Sequence, residues 1–412
     1  MINLFKIAIR NLMRYKRRTL LTASLITIGV VFVLVFVSVS GSFKNMMIGQ
    51  ITDSVIGHIQ LHRKGYVASI ENLPLTMNMK ANSVKRLEKI ISDEPQIEAF
   101  SPRIKFGGMF SNFAETTNIR LNGVYPEKEF ATVPLLPSRI TKGEKSLNLG
   151  EIIIPELLAN GMNAKIGDTV VIVATNQNGS VNGKQFKVSG ILESVSGPGG
   201  RDGYIHLEDA VELLRMEEIE ISEIAVRLKN FDKLDIVTSK LEELISKELN
   251  KNDKPMFEVH PWKKLSPFYH ISRMIDLLTF FIKIMLIAIV LISIMNVMIM
   301  AVYERIREIG TLSAIGTLPS RILSMFVIEG FCLGFIGGVI GDIIGIVIVF
   351  IINMAKIKFD FGMQKGLTLV ASIHQGDLLA ISATVIIVSV IASLQPALKA
   401  SRMNPIEALR HV

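Results

Sequence analysis

Four long apolar runs, Thr19–Gly41, Ile275–Val302, Ile322–Met354 and Leu378–Leu398, constrain this chain more than anything else in it. Each reaches or exceeds the ~20 residues a helix needs to cross about 30 Å of hydrocarbon. Lipid offers backbone groups no partners, so such runs must satisfy their own hydrogen bonds as helices. The bulk numbers agree, with mean hydropathy +0.42 and 49% hydrophobic residues. The reading is an α-helical membrane protein with four transmembrane helices. Between the first two runs, residues 42–274 have ordinary globular composition and, at about 230 residues, suffice for one sizeable domain or two small ones.

The net charge of +8 would suit a nucleic-acid binder, but its placement says otherwise. Lys6, Arg10, Arg14, Lys16, Arg17 and Arg18 precede the first run, with no acidic residue before Thr19, and Lys399, Arg402 and Arg410 follow the last. The positive-inside rule puts both termini in the cytoplasm, which an even number of spans satisfies. The expected layout is therefore a cytoplasmic amphipathic helix over 1–18, spans over 19–41, 275–302, 322–354 and 378–398, and a cytoplasmic connection over 303–321. The domain at 42–274 and a loop at 355–377 then lie outside the cytoplasm, with a cytoplasmic tail at 399–412. Nucleic acid is not an expected partner.

Cys332 is the sole cysteine and falls inside the third run, so the outer domain has no disulfide and must rely on its own core. Ser38-Val-Ser40 is a small-x-small triplet that would suit signal cleavage. The run is about twice a typical signal core and its basic lead-in is long, which favours an uncleaved anchor. Leu4, Phe5, Ala8, Ile9 and Leu12 fall on one helical face, with Asn3, Lys6, Arg10, Arg14 and Arg17 on the other. Two readings fit that pattern: a helix lying at the inner interface with its cations towards anionic lipid, or a bare orientation signal.

In the outer domain, alternation through Val55, Gly57, Ile59 and Leu61 predicts a strand, and residues 83–93 predict an amphipathic helix stopped by Pro95. Strands are expected over 96–110 and 116–125, then a compact β-rich insertion over about 133–216, a strand over 221–228 and a helix over 231–249. The whole is an α+β domain interrupted by that insertion.

Little of this suggests an enzyme. The glycine clusters Ser196–Gly203 and Gly337-Gly338…Gly341 lack the Lys-Ser/Thr of a phosphate-cradling loop, and the second lies in an apolar run where small residues let helices approach. The first reads as a surface loop or a docking finger. His58 and His62 stand four apart but in a strand-like run with no ligand motif around them, so no metal site is expected. No acid–base or nucleophile constellation stands out.

The charges in and between the spans are more informative. Lys283 lies roughly 28 Å and Asp342 roughly 31 Å along their helices from the same end, so the two match in depth and could pair within a subunit or across a dimer. Snorkelling of Lys283 is the other reading. Glu329, roughly 12 Å deep, should lie level with Ser293 and Asn296. Between spans two and three, Glu304, Arg305, Arg307 and Glu308 occupy about one turn, followed by Ile309, Leu312 and Ile315 at helical spacing. A merely connecting loop needs no such pattern.

Together, Asn11-Leu-Met-Arg-Tyr-Lys-Arg-Arg-Thr19, Asn296…Glu304-Arg-Ile-Arg-Glu-Ile-Gly310…Ala314-Ile-Gly316…Phe326-Val-Ile-Glu329 and Gln395-Pro-Ala-Leu-Lys-Ala-Ser-Arg-Met-Asn-Pro-Ile-Glu-Ala-Leu-Arg410 resemble the FtsX-like, MacB-type (type VII) permeases of ABC transporters. The layout is most similar to the lipoprotein-releasing LolC/LolE-type subunits, through Gly57-His-Ile-Gln-Leu-His62, four spans and a large outer domain. The resemblance implies a porter-like α/β part with a sabre-like β-rich insertion. It implies a coupling helix that docks on a cytoplasmic ABC ATPase dimer, carried over to Tyr303, Glu304, Arg305, Arg307, Glu308, Ile309, Gly310, Ala314, Gly316 and Thr317. ATP and Mg2+ would sit on that ATPase, with no cofactor on this chain. The implied partners are a second permease subunit, identical or homologous, a lipoprotein substrate with a periplasmic carrier or adaptor, and membrane lipid. The implied location is the bacterial inner membrane, and the implied work is release of lipoproteins from its outer leaflet by mechanotransmission. Export of peptides, antibiotics or other amphiphiles is the alternative within the class. A non-transporting regulator of cell-wall hydrolases is the alternative outside it.

Overall fold

The computed structural model of the chain describes residues 2–195, 201–249, 253–361 and 364–404. Ser196–Gly200 of the glycine-rich loop and Pro405–Arg410 of the C-terminal motif, Arg410 included, lie outside the described residues.

The chain begins with α1 (Ile2–Arg14) and α2 (Lys16–Ile51), broken only at Tyr15. α2 starts ahead of its apolar run and continues well past Gly41. It then passes into a π turn, Thr52–Ile56, which Gly57 ends at φ +74°. Glycine takes that φ without the Cβ penalty, and its missing side chain leaves room for the Val226 carbonyl 3.2 Å from an ideal Cβ. There follow β1 (Ile59–Arg63), α3 (Ala81–Ser92), β2 (Ile97–Ser111), β3 (Thr116–Val124), α4 (Pro126–Thr132), α5 (Leu136–Arg139), β4 (Ile140–Gly143), β5 (Glu151–Pro155) and α6 (Glu156–Gly161). Next come β6 (Thr169–Thr175), β7 (Val181–Leu192), β8 (Gly203–His206), α7 (Leu207–Leu213), β9 (Glu223–Leu228), α8 (Leu234–Ser246), β10 (Phe257–Pro261) and α9 (Trp262–Leu265). The chain closes with α10 (Phe268–Glu304), α11 (Ile306–Ala314), α12 (Pro319–Met354), β11 (Lys358–Phe361), β12 (Gln364–Thr368) and α13 (Gln375–Ser401).

These elements fall into two compact units: Asn45–Ser272 with Phe359–Leu367, and Met1–Lys44 with Arg273–Lys358 and Thr368–Val412. The first is built on one sheet in the order β10-β1-β9-β2-β3-β8-β5-β7-β4, with β6 joining β7 back to β2. Strands β2, β3, β8, β5, β7 and β6 thus close a ring. β2 is long because it serves both parts of the sheet: Ile97–Arg103 pair with β9, and Gly108–Ser111 pair with β6. The expected insertion at 133–216 therefore shares its sheet with two strands from before Val133, a link that hydrophobic alternation alone does not reveal.

Period-two alternation builds the two faces of this sheet. Ile104 and Phe106 of β2, Ile59 and Leu61 of β1 and Ile224 of β9 enter a hydrophobic core with Leu87, Leu241 and Trp262. Arg103 and Lys105, Gln60 and His62, and Glu223 alternate with them and are buried as well. Arg103 bridges Glu129 of α4 at 2.8 Å and Glu223 at 2.9 Å. Lys105 stands 3.8 Å from Glu223 and His62 stands 3.6 Å from it. Burial pushes the Glu223 carboxyl up, but Lys105, the His62 contact and Arg103 outweigh it and hold the group well below the usual carboxylate range. His58 is buried too: its Nδ1 accepts from the Leu228 amide at 3.0 Å, and its Nε2 lies 3.1 Å from Asp53. Both histidines are therefore packed groups, and the described residues contain no metal-holding cluster.

In the second unit, α2, α10, α12 and α13 are, among the described residues, the four helices long and apolar enough to cross a membrane. Glycines on α12 set how closely it meets its neighbours. A Cβ at Gly341 would fall 2.7 Å from Val30 of α2, and one at Gly330 would fall 2.5 Å from Ser393 of α13. Asp342 does not pair with Lys283 within the chain. It accepts a hydrogen bond from Ser382 of α13, while Lys283 lies 4.0 Å from Asp377. Spacing along a helix gives the depth of each residue; the direction each one faces is fixed by the glycine contacts.

Candidate coupling site

α10 ends at Glu304 because Arg305 leaves helical geometry at φ −113°, ψ 16°. One residue later α11 starts, so the segment is a short helix set off from the span. Its C-terminus closes on Gly316 at φ +89°, with the Thr317 amide bonded to the Leu312 carbonyl at 3.0 Å. A glycine in the left-handed region is the usual stop for a helix, and Pro319 in the first turn of α12 restarts the chain where its missing N–H costs nothing.

The bed of α11 is charged. The Arg305 guanidinium donates to Glu329 Oε1 of α12 at 2.8 Å, and Asn11 Nδ2 of α1 donates to the same oxygen at 2.7 Å. Arg305 is 5% exposed and Glu329 2%. The guanidinium also lies 5.2 Å from the centroid of the Tyr15 ring, at the break between α1 and α2. One carboxylate thus ties α1, the head of α11 and α12 together. Two further pairs lie nearer solvent: Arg14 of α1 with Glu308 of α11 at 3.0 Å, and Arg18 of α2 with Glu304 of α10 at 2.9 Å. Lys399 of α13 donates to the Tyr303 hydroxyl at 2.9 Å and lies over that ring.

These contacts sort the sequence-derived residues. Arg305, Ile309 and Gly310 are buried and face the bundle, so they hold the segment in place instead of offering it to a partner. Arg305, carried over with the coupling segment, is committed to Glu329 inside the chain, and breaking that pair would leave a buried charge without its partner. Glu304 and Glu308 are paired inside the chain, with Arg18 and Arg14. Tyr303, Arg307, Ala314 and Gly316 are exposed, and Thr317 is half-buried. Asn296 lies on the exposed side of α10, and Glu329 accepts hydrogen bonds from Arg305 and Asn11.

What α11 presents outward is a mixed patch. Leu312 is 37% exposed, Ile315 76% and Leu318 59%, beside Arg307 and Thr311. Leu312 and Ile315 were visible as apolar residues at helical spacing, but only the burial of Ile309 shows which of the three is already used. Asn11, Tyr15 and Arg18, which complete the bed, belong to the Asn11–Thr19 motif, but nothing in that stretch indicates that they meet Glu329, Arg305 and Glu304.

Two family models match the chain: the MacB-like periplasmic core domain over residues 19–244 and the FtsX-like permease C-terminal domain over residues 280–405. The lipoprotein-releasing system transmembrane protein LolC of Neisseria meningitidis is 22% identical over 413 residues, 95% of this chain and 94% of that one. LolE of Haemophilus influenzae is 22% identical over 404 residues, 93% and 92% of the two chains. The periplasmic region of MacB from Actinobacillus actinomycetemcomitans aligns with a TM-score of 0.37 at 13% identity, over 54% of this chain and 94% of that one. With α11 seated between two of its four apolar helices, and with the first model covering more than half its length, this chain belongs to the MacB-type, FtsX-like family of ABC transporter permeases.

Proposed function

We propose that this permease releases lipoproteins from the membrane leaflet on the side of its sheet domain, driven by a separate ATPase that docks on α11. The observation that carries the docking is the division of labour along the segment. Arg305 and Glu329 root it in the bundle, while Leu312, Ile315 and Leu318 remain uncovered. A helix rooted by a buried ion pair transmits a push to its neighbours, and an apolar patch of that kind on a polar rim suits a protein partner. ATP and Mg2+ then belong to the ATPase, α11 and both termini lie in the cytoplasm, and two permease subunits meet two ATPase subunits. Transport proceeds by mechanical transmission to the sheet domain. The cargo class follows the relatives named as lipoprotein-releasing proteins, which align with this chain from end to end.

The test is reconstitution of the permease with its ATPase and a fluorescent triacylated lipoprotein in proteoliposomes. ATP-dependent transfer of the lipoprotein to a soluble carrier supports the proposal. ATP hydrolysis without transfer, accompanied by movement of a soluble amphiphile, would assign the chain to amphiphile export.

A further inference from the structure

We propose that the α1–α2 elbow is a binding site for anionic phospholipid headgroups. The structure divides the basic residues of this region into two sets. Arg14 and Arg18 are spent on Glu308 and Glu304. Lys6, Arg10, Lys16 and Arg17 are exposed and make no ion pair among the described residues. Lys16 and Arg17 open α2 and Lys6 and Arg10 lie on α1, all four without a carboxylate partner among the described residues.

The apolar residues of α1 divide in the same way. Ala8 is fully buried and Leu12 packs on the bundle core, on the side from which Asn11 reaches Glu329. Phe5, Ile9 and Met13 recur every fourth residue, which makes them one stripe, and are 42%, 41% and 65% exposed. Lys6 and Arg10 follow Phe5 and Ile9 directly and so line the neighbouring stripe. Phe5 meets the Phe331 ring of α12 edge-on at 6.3 Å, so the stripe is bare at Ile9 and Met13, between the face packed on the protein and the basic face.

The occupant follows from where these faces lie. Only Tyr15 separates α1 from α2, so the elbow sits at the end of a span, where headgroups meet acyl chains. Below it, Leu20 and Leu21 of α2 are 72% and 67% exposed and extend the bare apolar surface into the hydrocarbon. A molecule filling this corner needs negative charge beside Lys6, Arg10, Lys16 and Arg17 and hydrocarbon beside Met13, Leu20 and Leu21. A phospholipid with a net negative headgroup has both. A zwitterionic one brings an ammonium group that four unpaired cations repel. An ATPase surface would match the cations but would leave the apolar stripe uncovered.

The test uses the full chain in nanodiscs of equal parts phosphatidylglycerol and phosphatidylcholine, with retained lipids counted by native mass spectrometry. Each cation at a membrane surface favours an anionic lipid about fivefold, so phosphatidylglycerol should be enriched roughly tenfold or more among the retained lipids. The enrichment should fall as sodium chloride rises through the range where the screening length shrinks from about 10 Å to about 3 Å. It should survive millimolar inorganic phosphate, which lacks the acyl chains. The Lys6→Gln/Arg10→Gln/Lys16→Gln/Arg17→Gln variant should lose it, and Lys85→Gln/Lys89→Gln in the sheet domain should keep it. Retention in the supplied ratio, enrichment indifferent to salt, or full enrichment in the quadruple variant would overturn the proposal. So would competition by inorganic phosphate.

Discussion

Two buried arginines, one in each unit, face carboxylates in very different company. Arg103 in the sheet meets Glu129 and Glu223, and Glu223 has Lys105 and His62 as further partners. Arg305 at the head of α11 meets Glu329, whose other partner is the neutral amide of Asn11. The sheet cluster is a web with spare connections among β1, β2, β9 and α4. The α11 contact is a single tie among three helical segments. Burying a pair gains little over an apolar substitute of the same shape, but removing one member leaves a bare charge behind. In the web the loss is felt across several elements of the sheet domain; at the tie it is confined to one segment.

The comparison breaks most plainly at Arg103. Arg103→Met leaves Glu129 buried and deprived of its guanidinium, at an expected cost of about 3–5 kcal/mol. Trp262 is the sole tryptophan and is 2% exposed within the sheet-domain core, so its fluorescence should report the lowered unfolding midpoint. An unchanged midpoint would mean that the web does not depend on its arginine.

Arg305→Met should cost about 3 kcal/mol, towards the lower end because Asn11 still donates to Glu329. Its signature should be local: faster amide exchange across Ile306–Thr317 with little change in the Trp262 transition. If exchange in α11 is unmoved, the tie does not root the segment.

Acid sharpens the contrast from the other side. Glu223 is held below the usual carboxylate range when folded, so its contribution is complete above the unfolded value of about 4.3 and is lost as pH falls below it. The Trp262 transition should therefore move to lower temperature under acid, and Glu223→Gln should flatten that dependence. A variant with the same acid slope as the parent would remove Glu223 from the explanation.

The smallest effects belong to the outer pairs. Arg14→Gln and Arg18→Gln should each change stability by about 0–1 kcal/mol, since Arg14 and Glu308 are both more than half exposed and Arg18 partly so. Losses above that range, measured by thermal unfolding, would place these pairs with the buried tie.

How much of this could be read beforehand depended on whether the signal was local. The four spans, the basic leader and the α11 segment follow from runs and spacings within a few turns. Glu329 was visible as a charge in an apolar run, but its partners are Asn11 and Arg305, the former 318 residues away. Lys283 and Asp342 show the limit from the other side: depth is arithmetic on a single helix, whereas facing depends on contacts such as Gly341 with Val30. The sharing of β2 between two parts of the sheet was invisible for the same reason, since alternation says which face is apolar and nothing about which strand lies alongside. Arg103, Lys105, Glu223 and His62 gave no separate warning, because a polar residue at every second position normally means solvent.

The most direct test is disulfide or maleimide cross-linking of the assembled permease–ATPase complex, with Cys332→Ala as background and single cysteines at Ile315 and Val181. Ile315→Cys should cross-link to the ATPase, with a yield that changes on nucleotide binding, while Val181→Cys, exposed in the sheet domain, should not. Cross-linking from Val181→Cys and none from Ile315→Cys would show that the engine does not meet α11.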